Sequence, residues 1–435
     1  MADTASIERT RNYLLQIKGS VVFKSLAVLA SFLALPLMIR YLGQERFGVW
    51  STLLSLMSWV VFFDLGISNG LRNKVAESLA KNEQGEAASY VASGYSLIGV
   101  FAIFLFAIGM IVSFFVPWQA VFNTQLIPEL TLRLAVQIAI FFIVLNFWIG
   151  LISALLGAVQ KTSLITLGQF IFNLLALFVV LVLAQTTNAS IIYMTIGYGV
   201  SIVSANIVLS LWFYKQYPEL RPKPYWDKQH IDPILSLGLQ FFSIQLAVLV
   251  IYTTDKILIT QIFGPQYVTQ YEVVFKYFSV ITIMYSFISA PLWSAYTDAY
   301  HRGDLHWIKS MLNKQLKIFG GIVVAVIGMM LLAKPLIAVW IGHDVEVSLS
   351  LVTAMGIFVL ISIWNNVYAM FVNGTGKIKP QLYTAIIAML LNVPLALFFT
   401  KYFVFGLSGI VLAMSVSLLI AAIVLPIQVH SMIRV

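Results

Sequence analysis

Six ionisable residues stand inside long apolar runs of this sequence: Lys24, Asp64, Asp255, Lys256, Glu272 and Lys276. Charge in such a setting is costly unless it faces a protein interior, a partner group or trapped water, which makes these positions the first candidates for function. The chemistry open to them is binding and ion exchange. The lysines would attract an anion, and Asp64, Asp255 and Glu272 are the groups able to exchange a proton or a sodium ion. Glu272 and Lys276 sit at i and i+4, the favourable order for an ion pair along one helix, and Asp255 beside Lys256 can form a second structural pair. Lys24 has no Asp or Glu one turn away in its own helix, so it meets a lumen or an anionic group, or snorkels to the membrane edge. Small polar residues extend these positions into helical stripes: Ser20, Lys24, Ala27 and Ser31; Gln245, Tyr252 and Lys256; and Glu272, Lys276, Ser279 and Ser286.

Other chemistries are excluded. Cysteine is absent, which removes disulfides, thiolate metal sites and thiol nucleophiles. The stretch "NGTGKIK" (Asn373 to Lys379) lacks the first glycine and the hydroxyl residue of a phosphate-binding loop. The five histidines show no metal-ligand spacing. The outer connection from Pro117 to Leu130 offers Glu129 as its one acid. The sequence therefore points away from an enzyme, from any cofactor and from a nucleic-acid partner.

The elements that must position the charges are membrane spans. The chain has 435 residues, 60% of them hydrophobic and 10% charged, with a mean hydropathy of +0.93. Soluble domains carry about 25% charged residues. Runs of about 20 apolar residues predict twelve spans, at 15–41, 47–67, 88–116, 131–157, 162–184, 189–214, 233–262, 269–297, 310–341, 348–373, 380–402 and 406–430. The polar opening, Met1 to Arg11, followed by a span-length run argues against a cleaved signal. With the N-terminus inside, 18 Lys and Arg fall in inner connections and 5 in outer ones. That bias predicts a multi-pass protein with both termini cytoplasmic.

The chain is also written twice. At an offset of 221, Gly43 falls on Gly264, Leu71 on Leu292, Glu77 on Asp298 and Lys81 on Arg302. Further along the offset shrinks, and Trp148 and Lys161 match Trp364 and Lys377. An even number of spans per copy makes the repeats parallel. The expected fold is therefore an all-α polytopic membrane protein with two parallel six-helix repeats around a central cavity. Its expected parts are an N-terminal lobe at 1–214, a cytoplasmic linker at 215–232 and a C-terminal lobe at 233–435. Lys24, Ser31, Gln245, Tyr252, Lys256, Glu272 and Lys276 are the candidate cavity residues, from equivalent faces of spans 1, 7 and 8. Span 2 contributes Ser51, Ser55 and Ser58.

The stretch from Leu35 to Asn82, with its "LG-x-x-x-FG-x-W" turn and "FDLGI" exit, resembles the opening of Wzx-type O-antigen flippases. The "APLWSAYTDAYHRGD" end of span 8 and the "NGTGK" turn fit the same pattern. These are polysaccharide transporters of the multidrug/oligosaccharidyl-lipid/polysaccharide superfamily, and the resemblance runs through essentially the whole chain. It implies a bacterial inner-membrane protein that flips an undecaprenyl-diphosphate-linked oligosaccharide, an O-antigen or related unit, to the periplasmic leaflet by alternating access. Its implied partners are the lipid-linked glycan, the bilayer, a polysaccharide polymerase and a chain-length regulator. No binding residue is carried over by motif. The nearest competing reading is a multidrug or other small-molecule transporter of the same superfamily.

Overall fold

The computed structural model describes residues 2–61, 66–289, 291–301, 303–403 and 405–433, with side chains described outside 2–15, 17, 60–61, 237–252, 294, 298 and 301. Among the described residues the secondary structure is helical. In chain order the helices are α1 (Ala2–Leu42), α2 (Gln44–Val61), α3 (Ile67–Ala80), α4 (Gln84–Phe115), α5 (Trp118–Val121), α6 (Glu129–Gly150), α7 (Ile152–Ala158), α8 (Thr162–Thr186) and α9 (Ile191–Gln216). They continue as α10 (Lys228–Phe263), α11 (Pro265–Ser289), α12 (Leu292–His301), α13 (Leu305–Ile341), α14 (Leu349–Thr375), α15 (Lys379–Lys401) and α16 (Leu407–Ile433).

Each of the twelve expected spans corresponds to a long helix, the fourth being made by α6 and α7 together. Among the described residues ten meet a length and hydropathy criterion for crossing a membrane; the other two positions are occupied by α2 and α10. A helix is one of the few backbones that satisfies all its own polar groups in hydrocarbon. The outward faces are apolar to a degree that water would not tolerate: Phe115 is 81% exposed, Leu331 78% and Val339 87%.

The chain forms two compact units, 1–246 and 247–435. In the first, α1 lies against α8, α8 against α9, α9 against α6, and α6 against α4. In the second, α14 is the hub, touching α11, α12, α13 and α16, with α15 packed on α16. The stretch 217–234 belongs to the first unit. Leu220, Ile231 and Ile234 are buried in that unit's core with Val91 and Ile98 of α4. His230 is held there between two carboxylates, its Nε2 3.0 Å from Glu86 and its Nδ1 2.7 Å from Asp227.

The repeated sequence has a repeated backbone cause. Gly43 and Gly264 both adopt positive φ, 76° and 106°, where one long helix must turn directly into the next. Asn82 (φ 60°) and Gly303 (φ 73°) stand at the same offset of 221, and Gln160 (φ 58°) and Gly376 (φ 71°) at 216. The hydrogen bonds match as well. Asn82 donates to the Leu79 carbonyl and Glu83 to Ser78. In the other repeat Gly303 donates to Tyr300 and Asp304 to Ala299. These are helix C-terminal turns that need a left-handed residue to close.

Each repeat also places a short amphipathic helix after its second span. In α3, Ile67, Gly70, Leu71, Val75 and Ser78 face inward, while Glu77 accepts from Lys74 and Lys81 on the exposed side. Those two ammonium groups, Lys81 foremost, lower the Glu77 carboxyl to a pKa of about 2, so the clamp stays ionised at any physiological pH. In α12 the buried positions are Leu292, Tyr296 and Ala299. Both helices dock closely on glycine. A Cβ on Gly70 would lie 2.2 Å from the Ile234 carbonyl oxygen, and one on Gly374 would lie 3.0 Å from that of Trp293. Because the first neighbour is backbone, Gly70→Ala must push α3 from α10 and should cost roughly 1–3 kcal/mol. The measurement is the unfolding temperature of detergent-purified protein, and an unchanged value would show that the contact is slack.

Candidate functional site

The left-handed turn at Gly264 folds α10 and α11 into an antiparallel hairpin. Residues at similar distances from the turn are therefore neighbours, and two ionisable ones on each arm meet. Lys256 and Glu272 form an ion pair, with side chains 24% and 15% exposed. One step away, the Tyr271 hydroxyl donates to Asp255 Oδ2 at 3.2 Å. Asp255 is 1% exposed and Tyr271 3%, and Asp255 Oδ1 has no hydrogen-bond partner among the described residues. Tyr271 also stacks on Phe275, with ring centroids 5.9 Å apart and planes 15° from parallel.

Lys276, half-buried, stands one turn further along α11 from Glu272. Beyond it the same face carries Ser279, Thr282 and Ser286, which line a cavity of about 240 Å³ between α11 and α14. Tyr285 and Ser289 of α11 with Ser362 and Asn366 of α14 complete its polar lining.

The structure thus brings together Asp255, Lys256, Glu272 and Lys276 of the expected site. Glu272 pairs with Lys256 on the neighbouring helix, and Asp255 accepts from the Tyr271 hydroxyl. The sequence had offered each of these acids a partner on its own helix. Lys24 and Ser31 are half-buried on α1 in the first unit. Ser51 and Ser55 of α2 are buried, and Ser58 donates to the Ser55 carbonyl. Asp64 and the side chains of Gln245 and Tyr252 lie outside the described residues. Tyr271, Thr282, Ser362 and Asn366 were not anticipated. The cue available was polar side chains inside a span, as in "ISIWNN" of α14.

Chemically, the hairpin holds two ammonium groups and a carboxylate next to a second, buried acid. It can attract an anion or exchange an ion. Among the described residues no group of His, Asp and Glu is arranged to hold a metal.

Comparison with known proteins places the fold. A solved structure described as the inward-facing conformation of a multidrug resistance MATE family transporter of the MOP superfamily superposes with a TM-score of 0.77 at 14% identity. The match covers 95% of this chain and 98% of that one. The lipid II flippase MurJ, in an inward closed conformation, gives 0.70 at 16% identity over 96% and 87% of the two chains. The chain therefore shares the fold of these two structures.

Within that fold, the chain belongs to the polysaccharide biosynthesis protein family, which matches residues 20–295; the MatE family matches 242–398. A putative O-antigen transporter of Salmonella typhimurium is 23% identical over 356 residues, 79% of each chain. The protein is a multi-pass bacterial membrane transporter, not an enzyme.

Removing one partner of an ion pair in a largely apolar interior leaves the other charge uncompensated. Glu272→Gln or Lys256→Met alone should cost up to roughly 3 kcal/mol, and Lys256→Met with Glu272→Leu should recover most of it. Thermal unfolding in detergent reads both. A loss in the double variant equal to the sum of the two single losses would mean that the pair is not a coupled unit.

Proposed function

We propose that this protein moves an undecaprenyl-diphosphate-linked oligosaccharide, an O-antigen or related repeat unit, from the cytoplasmic to the periplasmic leaflet by alternating access. The observation that carries this reading is the similarity to a putative O-antigen transporter along 79% of both chains, within a family of polysaccharide biosynthesis proteins. The charges inside the spans supply the chemistry such a cargo needs. A diphosphate and a polar glycan cannot cross hydrocarbon unaided, and lysine ammonium groups are suited to hold the diphosphate while the polyprenyl tail stays in lipid. Lys24, Lys256 and Lys276 are assigned that attraction. Ser31, Gln245, Tyr252 and Glu272 are assigned to the same polar path. Asp64, Asp255 and Glu272 are the candidates for a driving proton or sodium ion.

The moving parts in this reading are the repeats at 1–214 and 233–435, joined by 215–232, with both termini cytoplasmic. A polysaccharide polymerase and a chain-length regulator would receive the product. A second reading, export of small molecules, is favoured by the MatE match across 242–398. A strain lacking the gene separates the two. Loss of surface glycan with unchanged drug susceptibility supports the flippase, and the reverse result supports an exporter.

Lys24→Ala is expected to abolish surface glycan while the amount of membrane-inserted protein stays normal; normal surface glycan would remove Lys24 from the path. In reconstituted vesicles, an imposed proton or sodium gradient should change the rate of flipping. Neutral substitution of the acid that couples it, tested at Asp64, Asp255 and Glu272 in turn, should abolish that response. A rate indifferent to both gradients would exclude ion coupling.

A further inference from the structure

The cavity between α11 and α14 differs in kind from the charged hairpin beside it. It lies wholly within the second unit, and no Lys, Arg, Asp or Glu lines it. Its volume of about 240 Å³ equals roughly eight water molecules at about 30 Å³ each. That is the scale of a sugar ring rather than of an extended oligosaccharide or a single bare ion.

The hydrogen-bonding character of its wall is specific. Ser279 Oγ gives its proton to the Lys276 carbonyl at 2.7 Å, and Thr282 Oγ1 gives its proton to the Ser279 carbonyl at 2.8 Å. A hydroxyl that spends its proton on its own helix presents only lone pairs to anything else. Across the cavity, Asn366 Oδ1 is a buried acceptor that receives no hydrogen bond among the described residues, and Ser362 Oγ is likewise without a partner among them. The polar wall is thus rich in acceptors, and the rest is apolar, with Phe275 and Phe358 among its members.

A ligand must complement that wall. A phosphate only accepts hydrogen bonds and would find few donors, chiefly the Ser362 hydroxyl and the Asn366 amide, with no cation in the lining. An acyl chain would leave buried oxygens unsatisfied, which is costly. A metal cation would lack a carboxylate to balance its charge. A neutral polyol supplies hydroxyl donors for the oxygens and C–H faces for the aromatic rings. We infer that this cavity is a sugar subsite, which binds the glycan part of the cargo through Ser279, Thr282, Ser362 and Asn366. The inference rests on the flippase reading and deepens it. Ser279 lies three residues beyond Lys276, a rise of about 4.5 Å along the helix. That spacing suits a sugar joined directly to a diphosphate held by the lysines.

The test titrates detergent-purified protein with two probes: the lipid-linked oligosaccharide extracted from its host, and bare undecaprenyl diphosphate. Ser362→Ala combined with Asn366→Leu should weaken binding of the oligosaccharide lipid by about tenfold or more and leave the bare diphosphate within about twofold. Thr282→Val, nearly isosteric, should show the same selective loss in a protein whose packing is kept. The subsite is overturned if Thr282→Val and the double variant both bind the two probes as the wild type does. It is equally overturned if Thr282→Val weakens both probes alike. Should the wild type bind neither probe, the flippase reading itself fails; wild-type binding with no selective loss refutes the subsite alone.

Discussion

An ammonium group carried into an apolar interior needs an anion beside it, and in the second unit that need is met by one hairpin. The glycine at 264 turns α10 back on itself as α11, which sets Lys256 against Glu272 and Asp255 against Tyr271. Neither contact is available along a single helix, because adjacent residues diverge around the helix axis. The turn therefore does more than reverse the chain. It determines which charges can be neutralised and so which can be kept in the membrane at all.

The same dependence on backbone geometry explains why the chain repeats itself at the particular positions it does. Helices joined by one or three residues close here through a left-handed residue, and this occurs in both copies at Gly43 and Gly264, at Asn82 and Gly303, and at Gln160 and Gly376. Only some of these are glycine in both copies. Asparagine tolerates the left-handed region, whereas Gln160 adopts it at a cost that its surroundings must meet. A geometric requirement outlasts the residue type that best satisfies it, so the repeat is clearer in the dihedral angles than in the letters. The docking of α3 on Ile234 through Gly70, and of α12 on α14 through Gly374, repeats the theme at the ends of the spans.

What was legible in the sequence follows from this. Spans and helix turns depend on local composition and on residues that tolerate positive φ, and both can be read along one dimension. The stripe Glu272, Lys276, Ser279 and Ser286 was visible for the same reason, since helical periodicity is local. The partners across helices were not. Glu272 has Lys276 four residues away in sequence, and Lys256 also closes on it from the preceding helix. Asp255 has Lys256 as its neighbour, and its hydrogen bond comes from Tyr271 on the next helix. Ser362 and Asn366 became significant only when α14 was found to face α11 across a cavity. Periodicity shows which face a residue occupies, and only the tertiary packing shows what that face meets.

The arrangement has a consequence for how anion binding and ion movement can be joined. An anion that approaches Lys256 competes with Glu272 for the same ammonium group. In the proposed reading, an anion that won would leave the Glu272 carboxylate with Lys276 as its neighbouring cation in a low-dielectric interior, where the charged form is costlier. Proton uptake or the arrival of a cation removes that cost. Cargo binding and ion binding then favour one another without any direct contact between them, as reciprocal coupling requires. Asp255 is buried more deeply and takes its hydrogen bond from the Tyr271 hydroxyl rather than from Lys256. In the proposed reading, a hairpin that neutralises itself when empty would exchange partners when filled, and so be both stable at rest and responsive to cargo.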